Sequence, residues 1–280
     1  MAHGKRRYPA PVTATPRPHP LAERLRAAAA EAVVVVAHRG DSRHHPENTL
    51  AAFEAAVGAG VGMVEFDVRA TRDRVLVCLH DETLDRTTDA ARTLGPGALV
   101  AQLLHEELQP VRAAGQSVPT LEQALRTMLP RAVPMVEHKA GEPAAYATLL
   151  QRLGCADQVV LQSFDWDFVA AVGQAVPAAC LAVLGPTDAH AHMDRAARER
   201  AAALGASILH WHAQSLRADH VREALAEGWV LCTYTSDTDV ELAGGAALGV
   251  HAMCTNDPLH ALRLRAAGNL RRQPLRTRGA

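Results

Sequence analysis

Ionisable side chains stand where apolar, strand-like runs end in this 280-residue chain. The run at residues 33–37 passes directly into His38 and Arg39, and a second run contains Glu65 and Asp67. Because strand side chains alternate between faces, these two carboxylates point the same way, about 7 Å apart along the strand. If they are buried, they repel each other and need a shared proton or a cation. The alternative is an edge strand with both carboxylates in solvent.

Three further apolar runs end in polar residues, at His80, at Glu137 with Lys139, and at Gln162. Parallel strands place ligand-binding residues at their carboxyl ends, so this repetition favours one shared site. Glu137 offers a third oxygen ligand, and an all-carboxylate set selects a hard ion, Mg²⁺ or Ca²⁺. Histidine suits proton transfer near neutral pH, which makes His38 and His80 the candidate acid and base.

The motifs, in chain order, are Ala37-His38-Arg39-Gly40, Pro46-Glu47-Asn48-Thr49, Glu65-x-Asp67, His80-Asp81-x-x-Leu84-x-Arg86, Pro119-Thr120-Leu121-Glu122, Glu137-x-Lys139, Gln162-Ser163-Phe164 and Thr255-Asn256-Asp257-Pro258. Taken together over roughly residues 33–265, they resemble the glycerophosphodiester phosphodiesterase family. The resemblance implies an α/β fold, a TIM-type (β/α)₈ barrel with a small insertion at its C-terminal mouth. It also implies one divalent cation and hydrolysis of glycerophosphodiesters to sn-glycerol 3-phosphate and an alcohol.

The resemblance assigns a role to each candidate side chain. His38 and His80 form the acid/base pair, and the cation ligands are Glu65, Asp67 and Glu137. Arg39, Lys139 and Gln162 contact the substrate and its phosphate. Glu47 orients the site without contacting the substrate. The mechanism that it implies begins with attack of the glycerol 2-hydroxyl on phosphorus and passes through a cyclic phosphate.

Some interpretations stay open at this level. Arg39 either binds phosphate or braces a neighbouring carboxylate. His210 and His212 share a face and either line the mouth or form a structural pair, whereas His138 is expected to pack away from the site. The segment Cys232-Thr233-Tyr234-Thr235 departs from the family pattern, which affects substrate preference more than activity.

Two other functions compete with the main hypothesis. A lysophospholipase D-like activity would keep the chemistry and act on lipid head groups, and it favours an exposed apolar rim. A non-catalytic phosphate-binding barrel is the second alternative. Retention of both histidines and of all three carboxylates argues against it, because a binding protein has no need of an acid/base pair.

The spacing of the motifs predicts one catalytic domain at residues 21–268. Residues 84–118 do not fit a βα unit and are predicted to form the insertion, preceded by a hairpin that turns at residues 71–74. Residues 1–20, rich in proline, are predicted to form a flexible arm, and residues 269–280 a basic tail.

Composition limits the partners. The net charge of −1 gives no reason to expect nucleic acid, so a small glycerophosphodiester is the predicted partner. The five cysteines are scattered and odd in number, which is typical of buried free thiols. Without an apolar signal segment or a long apolar span, we expect a cytoplasmic protein with no stable membrane insertion. The oligomeric state stays open.

Overall fold

Eight parallel strands close into a barrel in the computed structural model, which describes residues 15–273. The barrel strands are β1, β2 and β6–β11, and β1 pairs with both β2 and β11, which closes the sheet. The (β/α)₈ barrel predicted from the sequence is therefore confirmed. The strands are β1 (Val34–His38), β2 (Met63–Ala70), β3 (Leu76–Cys78), β4 (Arg112–Ala113), β5 (Gln116–Ser117), β6 (Val133–His138), β7 (Val160–Ser163), β8 (Cys180–Gly185), β9 (Ile208–His212), β10 (Val230–Tyr234) and β11 (Ala252–Thr255).

Helices follow most of the barrel strands and cover their outer faces. They are α1 (Pro20–Ala28), α2 (Leu50–Gly58), α3 (Ala90–Thr93), α4 (Leu121–Met128), α5 (Pro143–Leu153), α6 (Trp166–Ala175), α7 (Arg195–Ala203), α8 (Ala218–Ala226), α9 (Asp239–Leu248) and α10 (Pro258–Ala266). Helix α7 begins at Arg195. The reason is local, because Asp194 caps the helix by accepting a hydrogen bond from the Ala197 amide.

Because side chains alternate between the two faces of each strand, the buried residues form two separate hydrophobic cores. The interior core takes residues from all eight barrel strands, among them Val34, Val36 and Met63, and α1 closes it with Leu21 and Leu25. The outer core fills the space between sheet and helices and contains the intervening residues of the same strands. Because side chains alternate, the residues that continue the interior series toward the mouth include His38, Glu65, Glu137 and Gln162.

An antiparallel hairpin and a small subdomain interrupt the regular βα order after β2. The β3 strand pairs antiparallel with β2, as predicted, and Arg74 adopts a left-handed φ of 65° in the turn between them. The predicted insertion at residues 84–118 contains α3, β4 and β5. Its apolar residues pack with Val77 and Leu79 in a cluster of their own, so the insertion is held to the hairpin rather than to the barrel core.

Described residues of both predicted terminal segments contact the barrel. The Arg17 amide donates to Ala206 O, and the Arg272 guanidinium donates to Ala29 O and Gly249 O. Leu270 is buried. The remaining parts of the predicted arm and tail, residues 1–14 and 274–280, lie outside the described residues, so the domain limits stay a prediction. All five cysteines are buried free thiols, and no helix within residues 15–273 is long and apolar enough to cross a membrane.

A substitution at Gly40 tests whether the turn after β1 requires glycine. Gly40 has a φ of 84°, and an added Cβ would lie 2.7 Å from the backbone of Ala52. We expect Gly40→Ala to lower the free energy of unfolding by about 2–4 kcal/mol, because it combines backbone strain with overpacking. Urea unfolding measures the change.

Gly244, inside α9, is the matched control, since an added Cβ would meet nothing within 4 Å. Gly244→Ala is expected to raise the free energy of unfolding by about 0.5–1 kcal/mol. Equal effects of the two substitutions would contradict this account of the turn.

Candidate active site

Strand register brings the predicted site residues together at the carboxyl end of the barrel. His38 on β1 is the pairing partner of Glu65 on β2, and Asp67 on β2 is the partner of Glu137 on β6. Glu137 is in turn the partner of Gln162 on β7. These strands are neighbours in the barrel, so side chains distant in sequence share one small patch of the mouth.

Three buried carboxylates form the centre of this patch. Ligand atoms of Glu65, Asp67 and Glu137 all lie within 4.8 Å of one another, and within residues 15–273 no second such group of potential metal ligands is present. Glu65 Oε1 is buried without a hydrogen-bond partner, and Lys139 Nζ is the ion-pair partner of the buried atoms Asp67 Oδ1 and Glu137 Oε1. A hard divalent cation would bind oxygens of all three carboxylates, so the donor set fits Mg²⁺ or Ca²⁺.

The pKa values of the three carboxyl groups show that the cluster lacks positive charge. Burial, reinforced by the charge of Asp67, raises the pKa of Glu65 well above its ordinary value. The same two causes raise the pKa of Glu137 to about 7, against the opposing effect of Lys139. Burial also acts to raise the pKa of Asp67, but Arg39 and Lys139 outweigh it and lower that pKa. Asp67 is therefore the carboxylate that stays ionised most readily.

Two basic side chains supply part of the missing charge. Lys139 Nζ contacts Glu137 and lies 3.5 Å from Asp67 Oδ1. Arg39 Nε lies 3.0 Å from Asp67 Oδ2, and Arg39 Nη1 donates to Glu47 Oε1 at 2.9 Å. Arg39 has a left-handed φ of 59°, a strained conformation that points to a functional constraint. Arg39 thus makes the bracing contacts that the sequence left as an alternative, and phosphate binding stays a prediction.

Asn48 holds Asp67 through two hydrogen bonds. Its Nδ2 donates to Asp67 Oδ2 at 2.9 Å, and its Oδ1 accepts from the Asp67 backbone amide at 3.1 Å. Asn48 has a φ of 58°, which asparagine tolerates better than most residues. Thr49, rather than Asn48, caps α2 by accepting from the Ala52 amide. The motif that contains Asn48 was visible in the sequence, but its partner on β2 was not.

Each catalytic candidate histidine directs Nδ1 to a protein oxygen. His38 Nδ1 lies 2.7 Å from Asn256 Oδ1, and His80 Nδ1 lies 2.6 Å from Asp81 Oδ1. In both rings Nε2 is left as the nitrogen for other partners, and that of His38 lies 3.8 Å from Glu65 Oε2. Burial, followed by the charge of Arg39, lowers the pKa of His38, so this ring is neutral near neutral pH.

Arg86, in the insertion, links Asp81, the partner of His80, to Glu47, the partner of Arg39. Its guanidinium donates to Asp81 Oδ2 at 2.5 Å and to Glu47 Oε1 at 2.8 Å. Hydrogen bonding from Arg86 lowers the pKa of Asp81 well below its usual range. It also helps to lower the pKa of Glu47, against the effect of burial. The sequence reasoning gave no role to Arg86 or Asp81, although both belong to the motif that follows His80.

The opposite half of the mouth holds the residues whose role the sequence left open. His210 Nδ1 lies 2.8 Å from Gln162 Oε1, and both side chains are buried. Burial lowers the pKa of His210 to about 3, so it is a neutral partner of Gln162. His212 is half-buried, with its ring edge-on to Tyr234 at 5.5 Å. Gln162 Nε2 and His210 Nε2 both lack hydrogen-bond partners.

His138 and the segment Cys232–Thr235, which departs from the family pattern, occupy the faces of the sheet that the alternation of strand side chains requires. The His138 ring stacks on Phe168 with centroids 3.4 Å apart, on the outer face of the sheet, as predicted. Cys232 belongs to the interior core, whereas Tyr234 reaches the mouth. There the Tyr234 hydroxyl donates to Gly185 O at 2.8 Å, and its ring meets Phe164 edge-on at 6.0 Å. The segment therefore contributes to an aromatic wall beside Lys139.

Cation binding to the carboxylates should depend on pH. Because the pKa of Glu137 is raised to about 7, this carboxyl is largely protonated in the folded protein at pH 6 and largely ionised at pH 8. A proton on Glu137 competes with a cation. We therefore expect Mg²⁺ or Ca²⁺ to raise the midpoint of thermal unfolding more at pH 8 than at pH 6. A cation at 100 times its dissociation constant would stabilise the fold by about 2.7 kcal/mol.

Glu137→Gln is expected to remove most of this cation-dependent shift. The control is Glu54→Gln, at a fully exposed carboxylate that pairs with Arg131. It should leave the shift unchanged. A shift of the same size at both pH values, or one that survives in Glu137→Gln, would contradict the assignment.

Comparisons with known proteins agree with this geometry. A model of the glycerophosphoryl diester phosphodiesterase family matches residues 38–260. The glycerophosphodiester phosphodiesterase of Bacillus subtilis is 28% identical over 250 residues, which are 81% of this chain and 84% of that protein. The YhdW protein of Bacillus subtilis is 32% identical over 164 residues, 54% of this chain and 65% of that protein, so the aligned part is slightly less than two thirds of it.

A solved structure shares the fold. The Oleispira antarctica phosphodiesterase, in complex with the product sn-glycerol-3-phosphate, superposes with a TM-score of 0.74 at 23% identity, covering 84% of this chain and 97% of that one. At this identity the likeness shows the fold alone. The family match, which extends from His38 at the first strand mouth to the start of α10, includes every candidate site residue. The chain belongs to the glycerophosphoryl diester phosphodiesterase family.

Proposed function

We propose that this protein hydrolyses glycerophosphodiesters to sn-glycerol 3-phosphate and an alcohol. One observation carries the proposal: the chain holds two histidines that are fixed at Nδ1 with Nε2 left for other partners, and three buried carboxylates whose ligand atoms lie within 4.8 Å of one another. The names of the relatives support the reaction class. The product bound to the Oleispira antarctica enzyme supports a small-molecule substrate.

His38 acts as the base in the first step. Its neutral ring accepts the proton of the glycerol 2-hydroxyl at Nε2, while that oxygen forms a bond to phosphorus. His80, hydrogen-bonded to Asp81, donates a proton to the departing alcohol oxygen as its bond to phosphorus breaks. Proton transfer by positioned side chains contributes roughly 10²–10⁴-fold to such reactions.

The second step reverses the two roles. His80, now without its proton, removes one from water as the water oxygen bonds to the phosphorus of the cyclic phosphate. The bond from phosphorus to the glycerol 2-oxygen then breaks, and His38 returns its proton to that oxygen. The two histidines are thereby restored, and the products are sn-glycerol 3-phosphate and the free alcohol.

Positive charge stabilises the phosphoryl oxygens. We assign their binding to Arg39 and Lys139, which surround Asp67, and substrate contact to Gln162, whose Nε2 has no partner. Glu47 orients Arg39. A divalent cation held by Glu65, Asp67 and Glu137 would withdraw electron density from a phosphoryl oxygen and make the glycerol hydroxyl more acidic.

The exposed surface favours a small substrate over a lipid. Among residues 15–273 the exposed large hydrophobic side chains are Phe164 and Val240. Two isolated residues do not make the apolar rim that docking on a membrane requires. No observation therefore favours the lysophospholipase D-like alternative, and the cytoplasmic location stays an expectation.

Substitution of His38 tests the acid/base assignment. We expect His38→Ala to lower the release of glycerol 3-phosphate from glycerophosphocholine by roughly 10²–10⁴-fold, because the base is lost. A coupled assay with Mg²⁺, Ca²⁺ or EDTA measures release, and EDTA is expected to abolish it. The control is His44→Ala, in the loop that follows β1, where the half-exposed ring contacts Asp41. Full activity of His38→Ala, or a loss of equal size in His44→Ala, would contradict the assignment.

A substrate without the 2-hydroxyl tests the cyclic phosphate. The phosphocholine diester of 1,3-propanediol keeps the phosphodiester but lacks the 2-hydroxyl, so it cannot form the proposed five-membered cyclic phosphate, and we expect no turnover. Phosphorus NMR should show a transient cyclic phosphate with glycerophosphocholine. Competitive inhibition by the analogue would establish that it binds. Hydrolysis of the analogue at a rate comparable to that of glycerophosphocholine would instead mean that water attacks directly.

A further inference from the structure

Asp237, in the loop between β10 and α9, holds the side chain that contacts His38. Its Oδ2 accepts a hydrogen bond from Asn256 Nδ2 at 2.7 Å. Its Oδ1 accepts from the Asn256 backbone amide at 2.7 Å and from the Thr255 hydroxyl at 3.0 Å. Three donors therefore converge on one carboxylate, and two of them belong to Asn256. The sequence reasoning gave no role to Asp237.

The carboxylate decides which way the Asn256 amide faces. An ionised carboxylate only accepts hydrogen bonds, so the amide nitrogen must point to Asp237. The reverse orientation would place two oxygen acceptors 2.7 Å apart. With the nitrogen held by Asp237, Asn256 Oδ1 faces His38 Nδ1 at 2.7 Å and also accepts from the Ser42 hydroxyl at 3.2 Å.

The orientation of the amide in turn decides the tautomer of His38. Because Asn256 Oδ1 can only accept, the neutral His38 ring must carry its proton on Nδ1. The lone pair is then on Nε2, the nitrogen that lies 3.8 Å from Glu65 Oε2 at the carboxylate cluster. The other tautomer would place a proton on the nitrogen that has to accept one.

We propose that Asp237 is a positioning residue, which acts through Asn256 to hold His38 in the tautomer that presents an unprotonated Nε2 to the substrate. The proposal rests on the function proposed above. Asp237 does not itself touch the reacting atoms. His80 receives the same orientation directly from Asp81, whereas His38 receives it from a neutral amide backed by a carboxylate.

The loop is held independently of the Asp237 side chain, which makes a substitution informative. The Asp237 backbone amide donates to Glu241 Oε2 at 3.0 Å, and the Ser236 amide donates to Cys254 O at 2.9 Å. Asp237 is exposed. Asp237→Asn keeps the size of the side chain but adds a donor, so the Asn256 amide is free to turn over.

Nitrogen-15 NMR of the histidine rings tests the proposal without substrate. The His38 signals are identified by their loss in His38→Ala. In the wild-type protein we expect a protonated Nδ1 and an unprotonated Nε2, and in Asp237→Asn a mixture of tautomers or the reverse one. The double variant Asp237→Asn with Asn256→Asp should restore the Nδ1-protonated tautomer, since the new carboxylate next to His38 can only accept.

Kinetics of the same variants provide the second readout. We expect kcat for glycerophosphocholine to fall roughly tenfold or more in Asp237→Asn with little change in KM, and to recover in the double variant. The control is Asp239→Asn, which removes a nearby exposed charge that pairs with His260. It should leave the His38 tautomer and kcat unchanged.

An Nε2-protonated ring in the wild-type protein, or an unchanged tautomer in Asp237→Asn, would overturn the proposal. Because the tautomer is read without turnover, absence of glycerophosphodiester hydrolysis would refute the proposed function and leave the NMR result to decide the role of Asp237.

Discussion

Mutual repulsion among three buried carboxylates is the constraint on which the rest of the site depends. The register of β1, β2 and β6 forces Glu65, Asp67 and Glu137 into one patch of the barrel mouth. In a poorly hydrated environment such a group requires protons, basic side chains or a cation. The left-handed backbone of Arg39, the contacts of Lys139 and the amide of Asn48 are all responses to this requirement.

A consequence is that the basic side chains at the mouth are already paired with carboxylates. Arg39 and Lys139 both touch the carboxylates, so an arriving phosphate has to compete for them. A cation bound by the three carboxylates would release the basic groups for that purpose. The metal and the phosphate are thus expected to support each other's binding, because each relieves a charge imbalance that the other leaves.

The two histidines are oriented by different chemical means, although both are held at Nδ1. His80 contacts the carboxylate of Asp81, which Arg86 of the insertion holds in place. His38, at the end of β1, contacts the neutral amide of Asn256. Asn256 follows β11, the strand that pairs with β1. Asp81 is a carboxylate acceptor and Asn256 an amide acceptor, and both leave Nε2 of the ring for other partners. The insertion thus contributes Arg86, which contacts the carboxylate that holds His80.

The sequence by itself determined the barrel, the strands and the residues that belong to the mouth. Apolar runs that end in polar residues predicted that His38 and Glu137 stand at strand ends, and strand alternation predicted that Glu65 and Asp67 share a face. Such patterns are local, since they depend on burial along a single strand.

Only the tertiary structure decided the partners. The contacts of Asn48 with Asp67, of Arg86 with Glu47 and Asp81, and of Asp237 with Asn256 join residues that are 19, 39, 5 and 19 positions apart. Hydrogen-bond partners across such distances depend on loop paths and on the closure of β1 against β11. Neither can be predicted from the pattern of a single segment. His80 takes its Nδ1 partner from the neighbouring residue Asp81, whereas His38 receives Asn256 only because the closed barrel brings β11 beside β1.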